Sequence, residues 1–180
     1  MIGLLGGTFD PPHNGHLALA EAAQRELGLD EVIAMVVARP AHRECFEPAD
    51  TRLQLAEAAF AGRARVMRDE HAYTVDAVRD GRFGDAIFIV GADEGAAFPS
   101  WKDPDEILRW VKLGVGTRSG YPPADLEHYG NRVISFSLAS PPISSSEVRE
   151  RIREGKQIGD LVPSDVARLI EERGLYRNGG

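Results

Sequence analysis

Short runs of apolar residues alternate with segments of helical periodicity along the whole chain. A short apolar run predicts a buried strand, whereas apolar residues that recur every three or four positions predict a helix. The predicted strands are Met1–Leu5, Glu31–Val37, Arg63–Met67, Ala86–Val90, Leu113–Gly116 and Val133–Phe136. The predicted helices are Leu17–Leu27, Arg52–Phe60, Val75–Arg79, Asp105–Trp110, Ser145–Glu154 and Ser164–Arg173. This alternation is typical of an α/β fold whose mostly parallel sheet has helices on both faces.

The length of the chain, 180 residues, suits one compact domain. We therefore predict a single domain over residues 1–180, with the C-terminal helices at about 144–176 as part of it. In such folds, ligands bind at the carboxyl ends of the strands, where the strand order reverses. The most loop-like segment, Ser119–Asn131, is predicted to border that site.

Composition narrows the classes of function. Hydrophobic residues make up 43% of the chain and charged residues 27%, as in ordinary globular proteins. The formal net charge of -7 argues against broad nucleic-acid binding, but it allows one anionic substrate in a locally basic pocket. A single cysteine, Cys45, excludes an internal disulfide and a cysteine-rich zinc site. Because no apolar run suits a membrane span and the first residues lack signal-peptide features, we expect a cytoplasmic enzyme without membrane contact.

The first candidate site follows the first predicted strand and reads GGTFDPPHNGH, starting at Gly6. Its two glycines allow a tight turn and a close backbone approach to a ligand. Asn14 is a favourable N-cap for the next helix, whose free N–H groups and dipole would form an anion site. His13 and His16 are three residues apart, so both imidazoles can face one phosphate and stabilise its developing charge. The segment is neither a Walker loop nor a GxGxxG motif.

The second candidate site is ISSSEVR, starting at Ile143. Ser144 and Glu147 have the spacing of a capping box, which predicts a helix start. Because one serine is enough for the cap, the hydroxyls of the next two serines are expected to be free for an anion. Helical side chains lean toward the N-terminus, so the forked guanidinium of Arg149 can return to the same anion.

Each motif alone also has a plain structural explanation. The first is compatible with a strand–turn–helix connection that contains two histidines by chance, or with a metal-binding pair. The second is compatible with a well-capped surface helix that carries an exposed arginine. Two anion sites in one small acidic domain instead indicate a ligand with several phosphates.

In this order, the two motifs resemble those of the HxGH nucleotidyltransferase superfamily, most closely its nicotinate-mononucleotide adenylyltransferase branch. Further matches are AYTVDAV at Ala72–Val78, IVGADEGAAFPSW at Ile89–Trp101 and LVPSDVARLIEERGLY at Leu161–Tyr176. The resemblance covers essentially the whole chain. It implies a Rossmann-like, doubly wound domain with a mostly parallel sheet flanked by helices.

The resemblance also implies a reaction. The phosphate of nicotinate mononucleotide attacks the α-phosphorus of ATP in line and expels pyrophosphate, which gives deamido-NAD for NAD biosynthesis. No enzyme nucleophile is needed, so catalysis consists of positioning and charge stabilisation. Mg²⁺ is expected on the ATP phosphates, with no protein side chain as its ligand. Homodimers and larger assemblies occur in this family, and the sequence leaves the oligomeric state open.

Transferred position by position, the resemblance assigns His13, His16 and Arg149 to catalysis, with His16 nearest the α-phosphate. The expected ATP site comprises Gly6, Gly7, Thr8, Phe9, His13, His16, Gly91, Asp93, Arg118, Ile143, Ser144, Ser145, Ser146 and Arg149. The expected acceptor site comprises Thr8, Phe9, His42, Arg43, Tyr73, Thr74, Asp93 and Trp101. The indole of Trp101 is expected to stack on the pyridine ring, although a partly buried core tryptophan is the alternative.

One segment departs from the family pattern. The family usually has a proline-rich PPHK stretch after the second strand, whereas this chain reads Arg39-Pro40-Ala41-His42-Arg43. Arg43 keeps the positive charge, and its fork suits phosphate at least as well as an ammonium group does. The change can still reshape how the loop closes over substrate, so it leaves affinity and preference open.

Two other functions stay open at the level of sequence. A sister adenylyltransferase would use nicotinamide mononucleotide or phosphopantetheine as the acceptor. The phosphopantetheine branch usually has threonine or a similar residue at the position of His13, whereas a carboxylate and a carboxamide differ by contacts that the sequence hides. A non-catalytic nucleotide sensor would have lost some of His13, His16, Ser145 and Arg149, all of which are present.

Overall fold

The computed structural model describes residues 1–79, 81–118 and 126–177. Its strands in these ranges are β1 (Ile2–Gly7), β2 (Glu31–Val37), β3 (Arg65–Asp69), β4 (Ala86–Gly91), β5 (Lys112–Arg118) and β6 (Val133–Leu138). Its α-helices are α1 (Asn14–Leu27), α2 (Ala49–Phe60), α3 (Thr74–Val78), α4 (Ala92–Ala97), α5 (Pro104–Trp110), α6 (Ser145–Arg153) and α7 (Ser164–Arg173). Short 3₁₀ helices cover Phe98–Ser100 and Glu127–Arg132.

The strands form one sheet in the order β3-β2-β1-β4-β5-β6, and all neighbouring pairs among the described residues are parallel. The order reverses between β1 and β4, which is the switch point of a doubly wound, Rossmann-like sheet. The predicted fold class is therefore confirmed. Because the strands are parallel, the segments that follow them all emerge at one edge of the sheet.

Side chains alternate between two buried layers, one on each face of the sheet. In β4, Ala86, Phe88 and Val90 point into the layer that contains the apolar residues of α3 and α5. Ile87 and Ile89 point into the opposite layer, with residues of α1, α2, α6 and α7. Because both faces are covered, the central strands read as continuous apolar runs in the sequence.

Two segments differ from the prediction. No helix was predicted directly after β4, but the residues there form α4, a short helix that starts with Ala92. Its Gly95 packs so closely on β5 that an added Cβ would lie 2.7 Å from a methyl group of Val115, and a short helix with a central glycine has weak helical periodicity. The loop prediction for Ser119–Asn131 is wrong over the 3₁₀ helix at Glu127–Arg132, whereas residues 119–125 lie outside the described ranges.

The other predicted elements are present, with bounds that differ by up to three residues. The largest shifts are at the start of α1, which is Asn14 rather than Leu17, and at the start of α2, which is Ala49 rather than Arg52. Across the described ranges, no helix combines the length and the apolar character that a membrane crossing requires.

Candidate active site

A cavity of about 860 Å³ opens along the edge where the parallel strands end. It is lined by the end of β1, the loop after β2, the segment after β3, the start of α4 and the start of α6. Its volume lies within the range of small-molecule sites. Both sequence motifs reach this cavity from opposite ends of the chain.

Every predicted site residue lines the cavity except Phe9. We call the part around the two motifs the phosphate end; it is formed by His13, His16, Arg118, Ser144, Ser145, Ser146 and Arg149. We call the part around the segments after β2 and β3 the acceptor end; it is formed by His42, Arg43, Tyr73, Thr74 and Trp101. Gly6, Gly7, Thr8, Gly91, Asp93 and Ile143 line the same cavity.

The two histidines of the first motif lie side by side. Their ring centroids are 3.7 Å apart, with an angle of 25° between the ring planes. Nδ1 of His16 accepts a hydrogen bond of 3.1 Å from the backbone N–H of His13. A neutral His16 ring therefore carries its proton on Nε2, which leaves that nitrogen as the donor.

Both imidazoles are held in the neutral form. Burial, aided by the positive charge of Arg118, lowers the pKa of His13 to about 4. Burial also lowers the pKa of His16 well below its ordinary value, and the charges of His13 and Arg43 act in the same direction. At neutral pH the pair can thus donate hydrogen bonds without carrying charge.

The start of α1 differs from the prediction. The N-cap is His13, and Asn14 is already the first helical residue. The backbone N–H of Asn14 donates to the carbonyl of Leu161 at 2.8 Å, and its side-chain amide donates to the carbonyl of Asp160 at 3.2 Å. Asn14 therefore fixes α1 to the segment before α7, and its N–H is not free for an anion.

The turn after β1 also differs from the prediction. Gly6 and Gly7 belong to β1, and the left-handed backbone conformation lies at Phe9, with φ of 49°. An added Cβ on Gly6 would lie 2.7 Å from the ring of Phe88, so that glycine allows close packing rather than a turn. Phe9 is 1% exposed and packs edge-on against Phe60, so its side chain does not line the cavity, and its assignment to the two substrate sites stays a prediction.

The second motif begins a helix as predicted. Oγ of Ser144 accepts a hydrogen bond of 3.1 Å from the N–H of Glu147 and thereby caps α6. The hydroxyl of Ser145 is not free, because it donates to the carbonyl of Pro11 at 2.8 Å. Ser146 accepts from Arg149 at 3.0 Å and keeps its own O–H as a donor. The serines therefore join the second motif to the first.

Arg149 is the main link between the motifs. Its Nη1 donates to the carbonyl of Asp10 at 2.7 Å, and its guanidinium carbon lies 4.1 Å from the centroid of the Phe46 ring. Burial lowers the pKa of Arg149 below its ordinary value. Its Nε and the Nδ1 of His13 are buried without a hydrogen-bond partner among the described residues. Both nitrogens belong to residues that line the cavity, where an anionic ligand would supply oxygen atoms.

No role was predicted for Asp10 from the sequence, but its carboxylate accepts three hydrogen bonds. Its carboxylate is 3% exposed and accepts from the N–H of Phe46 at 2.6 Å and of Glu47 at 3.3 Å. It also accepts from the hydroxyl of Tyr176 at 2.8 Å. Burial and the Asp10 charge raise the pKa of Tyr176, which stays neutral and donates. The only sequence signal for Asp10 was its place inside the first motif.

At the acceptor end, aromatic rings pack against one another. The rings of His42 and Tyr73 meet edge-on, with centroids 5.2 Å apart. Trp101 packs edge-on against Phe88 at 5.9 Å and tilted against Phe98 at 5.4 Å. The sequence left two alternatives for Trp101, a partly buried core residue or a residue of the binding site. In the structure Trp101 packs on the core and also lines the cavity.

A carboxylate–imidazole pair, Asp69 and His71, also lines the cavity. It was not predicted, because no sequence pattern marks it. Asp69, at the end of β3, is 4% exposed and its Oδ1 lies 2.7 Å from Nδ1 of His71. The N–H of His71 donates to the same oxygen at 3.1 Å. The carboxylate thus fixes the orientation of an imidazole that lines the cavity.

Comparison with known proteins agrees with this arrangement. The sequence model of the cytidylyltransferase-like family matches residues 4–151. A relative from Rubrobacter xylanophilus, named "Probable nicotinate-nucleotide adenylyltransferase", is 37% identical over 98% of this chain and 92% of its own. A relative of the same name from Halalkalibacterium halodurans is 39% identical over 98% of this chain and 91% of its own. The solved structure of Plasmodium falciparum nicotinic acid mononucleotide adenylyltransferase complexed with NaAD has the same fold, with a TM-score of 0.79 at 14% identity over 97% of this chain and 96% of that one.

Proposed function

Because the chain belongs to the cytidylyltransferase-like family, we propose that it transfers the AMP group of ATP to nicotinate mononucleotide and releases pyrophosphate. The full-length relatives carry the name of this activity, so the resemblance seen in the sequence is confirmed. The observation that carries the proposal is the convergence of the two motifs on one cavity. There, His13 and Arg149 each keep one buried nitrogen without a protein partner among the described residues.

The reaction needs little covalent chemistry from the protein. A phosphate oxygen of the acceptor forms a bond to the α-phosphorus while the bond from that phosphorus to the bridging oxygen breaks. The electron pair of the broken bond leaves with pyrophosphate. Rate acceleration must therefore come from alignment of the two phosphates and from hydrogen-bond donors at the oxygens that gain charge.

In our proposal, the neutral histidines supply such donors. Nε2–H of His16 donates to the α-phosphate, because Nδ1 of the same ring is already occupied by the backbone of His13. Arg149, the hydroxyl of Ser146 and the N-terminus of α6 hold the β- and γ-phosphates. The contacts of Arg149 with Asp10 and Ser146 preset its position before substrate binds.

The side chains around the phosphate end suit phosphate oxygens better than a metal ion, since they are imidazoles, hydroxyls and a guanidinium. No group of three or more metal-ligating side chains lies together in the described ranges. In our proposal Mg²⁺ enters on the ATP phosphates, where it would neutralise part of their charge, while His13, Ser146 and Arg149 hold those phosphates. The cytoplasmic location and the lack of a nucleic-acid partner stay predictions from the sequence, and the oligomeric state stays open.

The proposal is tested by measuring pyrophosphate release from ATP and Mg²⁺ with nicotinate mononucleotide, nicotinamide mononucleotide or phosphopantetheine. We expect kcat/KM for nicotinate mononucleotide to exceed that for either alternative by at least about tenfold, which corresponds to about 1.4 kcal/mol. A preference for another acceptor would keep the chemistry and replace the substrate. No release with any acceptor, in a protein that binds ATP, would overturn the enzymatic proposal in favour of a sensor.

A further inference from the structure

Arg52 in α2 is buried as completely as any apolar core residue, with 1% of its surface exposed. Its guanidinium makes four hydrogen bonds, and every acceptor is a backbone carbonyl. Nε donates to Glu47 at 3.0 Å, Nη1 to Thr8 and Val37 at 2.8 Å each, and Nη2 to Ala38 at 2.9 Å. No carboxylate in the described part of the chain forms an ion pair with it. Burial of a cation without a counter-ion is costly, so these four bonds must be well formed to retain it.

The four acceptors lie at three places that meet at the cavity. Thr8 belongs to the first motif, directly after β1. Val37 and Ala38 lie where β2 ends and the loop of residues 38–48 begins, and Glu47 lies where that loop ends before α2. One guanidinium therefore joins both ends of loop 38–48 to each other and to the first motif.

The middle of loop 38–48 has much less support. His42 and Arg43 are exposed, and neither forms a hydrogen bond with any other described residue. The returning half of the loop is held from its other side by the Asp10 carboxylate, which accepts from the N–H groups of Phe46 and Glu47. The position of His42 and Arg43 over the cavity thus depends on how the base of the loop is fixed.

We propose that Arg52 is a positioning residue that sets loop 38–48 against the first motif, so that His42 and Arg43 face the acceptor nucleotide. The role in acceptor binding rests on the function proposed above. The role in holding the loop does not, because it follows from the four hydrogen bonds alone. The two parts can therefore be tested separately.

The chain contains its own reporter for the loop. Cys45, its single cysteine, lies in loop 38–48 and is half-buried. Burial raises the pKa of the Cys45 thiol, so Ellman's reagent should label the folded parent protein slowly. If the base of the loop is loosened, the thiol becomes more accessible and the labelling rate rises, whether or not the protein has the proposed activity.

We would compare Arg52→Lys and Arg52→Gln with the parent protein. Lysine offers one ammonium on an unforked stem, and glutamine removes the buried charge and keeps one amide donor group, so neither can reach all four carbonyls. The matched control is Arg63→Lys, at an exposed arginine just after α2 whose partner Glu21 accepts either side chain. We expect Cys45 labelling to accelerate at least about fivefold in the Arg52 variants and to be unchanged in the control, with thermal unfolding still cooperative.

Kinetics test the second part of the proposal. We expect the KM for the acceptor to rise about tenfold in Arg52→Lys, while the KM for ATP changes less than about twofold, because a small displacement of a positioning loop affects the ligand it contacts. An unchanged labelling rate in both folded variants would overturn the holding role. Loss of the folded state in both variants would show that Arg52 serves global stability and would overturn the proposal. Equal rises in both KM values would overturn the link to the acceptor, and an inactive parent would overturn only the proposed function.

Discussion

Hydrogen bonds join the side chains at the phosphate end of the cavity to one another and to the backbone. At the acceptor end, loop 38–48 is held mainly at its base. At the phosphate end, Arg149 contacts Asp10 and Ser146, and Ser145 reaches across to Pro11. At the acceptor end, His42 and the rest of the loop middle are exposed and supported by aromatic contact with Tyr73. Under the proposed function, we expect the chemical step to depend on the hydrogen-bonded motifs and the choice of acceptor to depend on the loop, which has fewer constraints.

The largest effect is expected when a hydrogen-bond donor is removed from the phosphate end. We expect His16→Ala to lower kcat about 10²–10³-fold, since one preset donor to a charged transition state is lost. The KM values should change little, and the protein should still unfold cooperatively, at a lower temperature than the parent because the N–H of His13 loses its acceptor. Pyrophosphate release measures the effect, with His128→Ala, an exposed histidine outside the cavity, as the matched control. Parent-like turnover in His16→Ala would remove His16 from the mechanism.

The buried histidines of the phosphate end also make the stability of the folded protein sensitive to acid. The pKa of His13 is lowered to about 4 in the folded protein, whereas an unfolded histidine titrates near its ordinary value of 6.5. Between these values the unfolded chain binds more protons, so the contribution of His13 to stability is complete above pH 6.5 and is lost as the pH falls toward 4. The shift corresponds to about 3 kcal/mol in the free energy of unfolding.

Urea titrations between pH 7 and pH 4.5, followed by tryptophan fluorescence, measure this loss. Other groups also titrate at low pH, so the parent is compared with His13→Gln, in which the fall between pH 6.5 and pH 4.5 should be smaller. Identical pH dependence in the two proteins would contradict the assigned burial of the His13 ring.

Substitution of Arg149, which links the two motifs, tests whether the phosphate end binds ATP and not the acceptor. We expect Arg149→Ala to raise the KM for ATP about tenfold, because a charge-assisted hydrogen bond to phosphate contributes about 1.5–3 kcal/mol. The KM for the acceptor should change much less. Steady-state kinetics with each substrate varied in turn measure both values, and Arg153→Ala, on the same helix but away from the cavity, is the control. An unchanged ATP dependence would place Arg149 outside the ATP site.

The smallest effect is expected at the exposed loop. Arg43→Ala should raise the KM for the acceptor about fivefold and leave that for ATP unchanged, since an exposed charge contributes about 1 kcal/mol. Arg39→Ala, whose guanidinium faces Glu70 at 3.5 Å instead of the cavity, is the matched control. If both variants behaved alike, the assignment of Arg43 to the acceptor would be contradicted.

The sequence predicted the elements that depend on local patterns. The apolar run of β4 and the serine cap of α6 are signals within a few residues, and the structure has both. The two motifs were interpreted as two anion sites for one ligand with several phosphates, and the structure brings both to one cavity. Local patterns did not predict that Phe9 is buried, because its left-handed backbone conformation turns the ring onto Phe60.

The contacts that hold the site together could not be predicted. Arg52 looks like an ordinary helical arginine in the sequence, and its four acceptors are backbone carbonyls that no residue type identifies. Asp10 and Tyr176 are separated by 166 positions, and their hydrogen bond depends on the packing of α7 against α2. Such contacts arise from the tertiary fold, so a pattern read along the chain does not contain them.

The hydrogen bond between Asp10 and Tyr176 has a consequence for the order in which the protein is made. The ribosome adds about 5–20 residues per second, so roughly ten to thirty seconds pass between the synthesis of Asp10 and that of its hydroxyl partner Tyr176. Until then the carboxylate lacks one of its three donors. The complete hydrogen-bond network around the cavity therefore forms only when both ends of the domain have been translated.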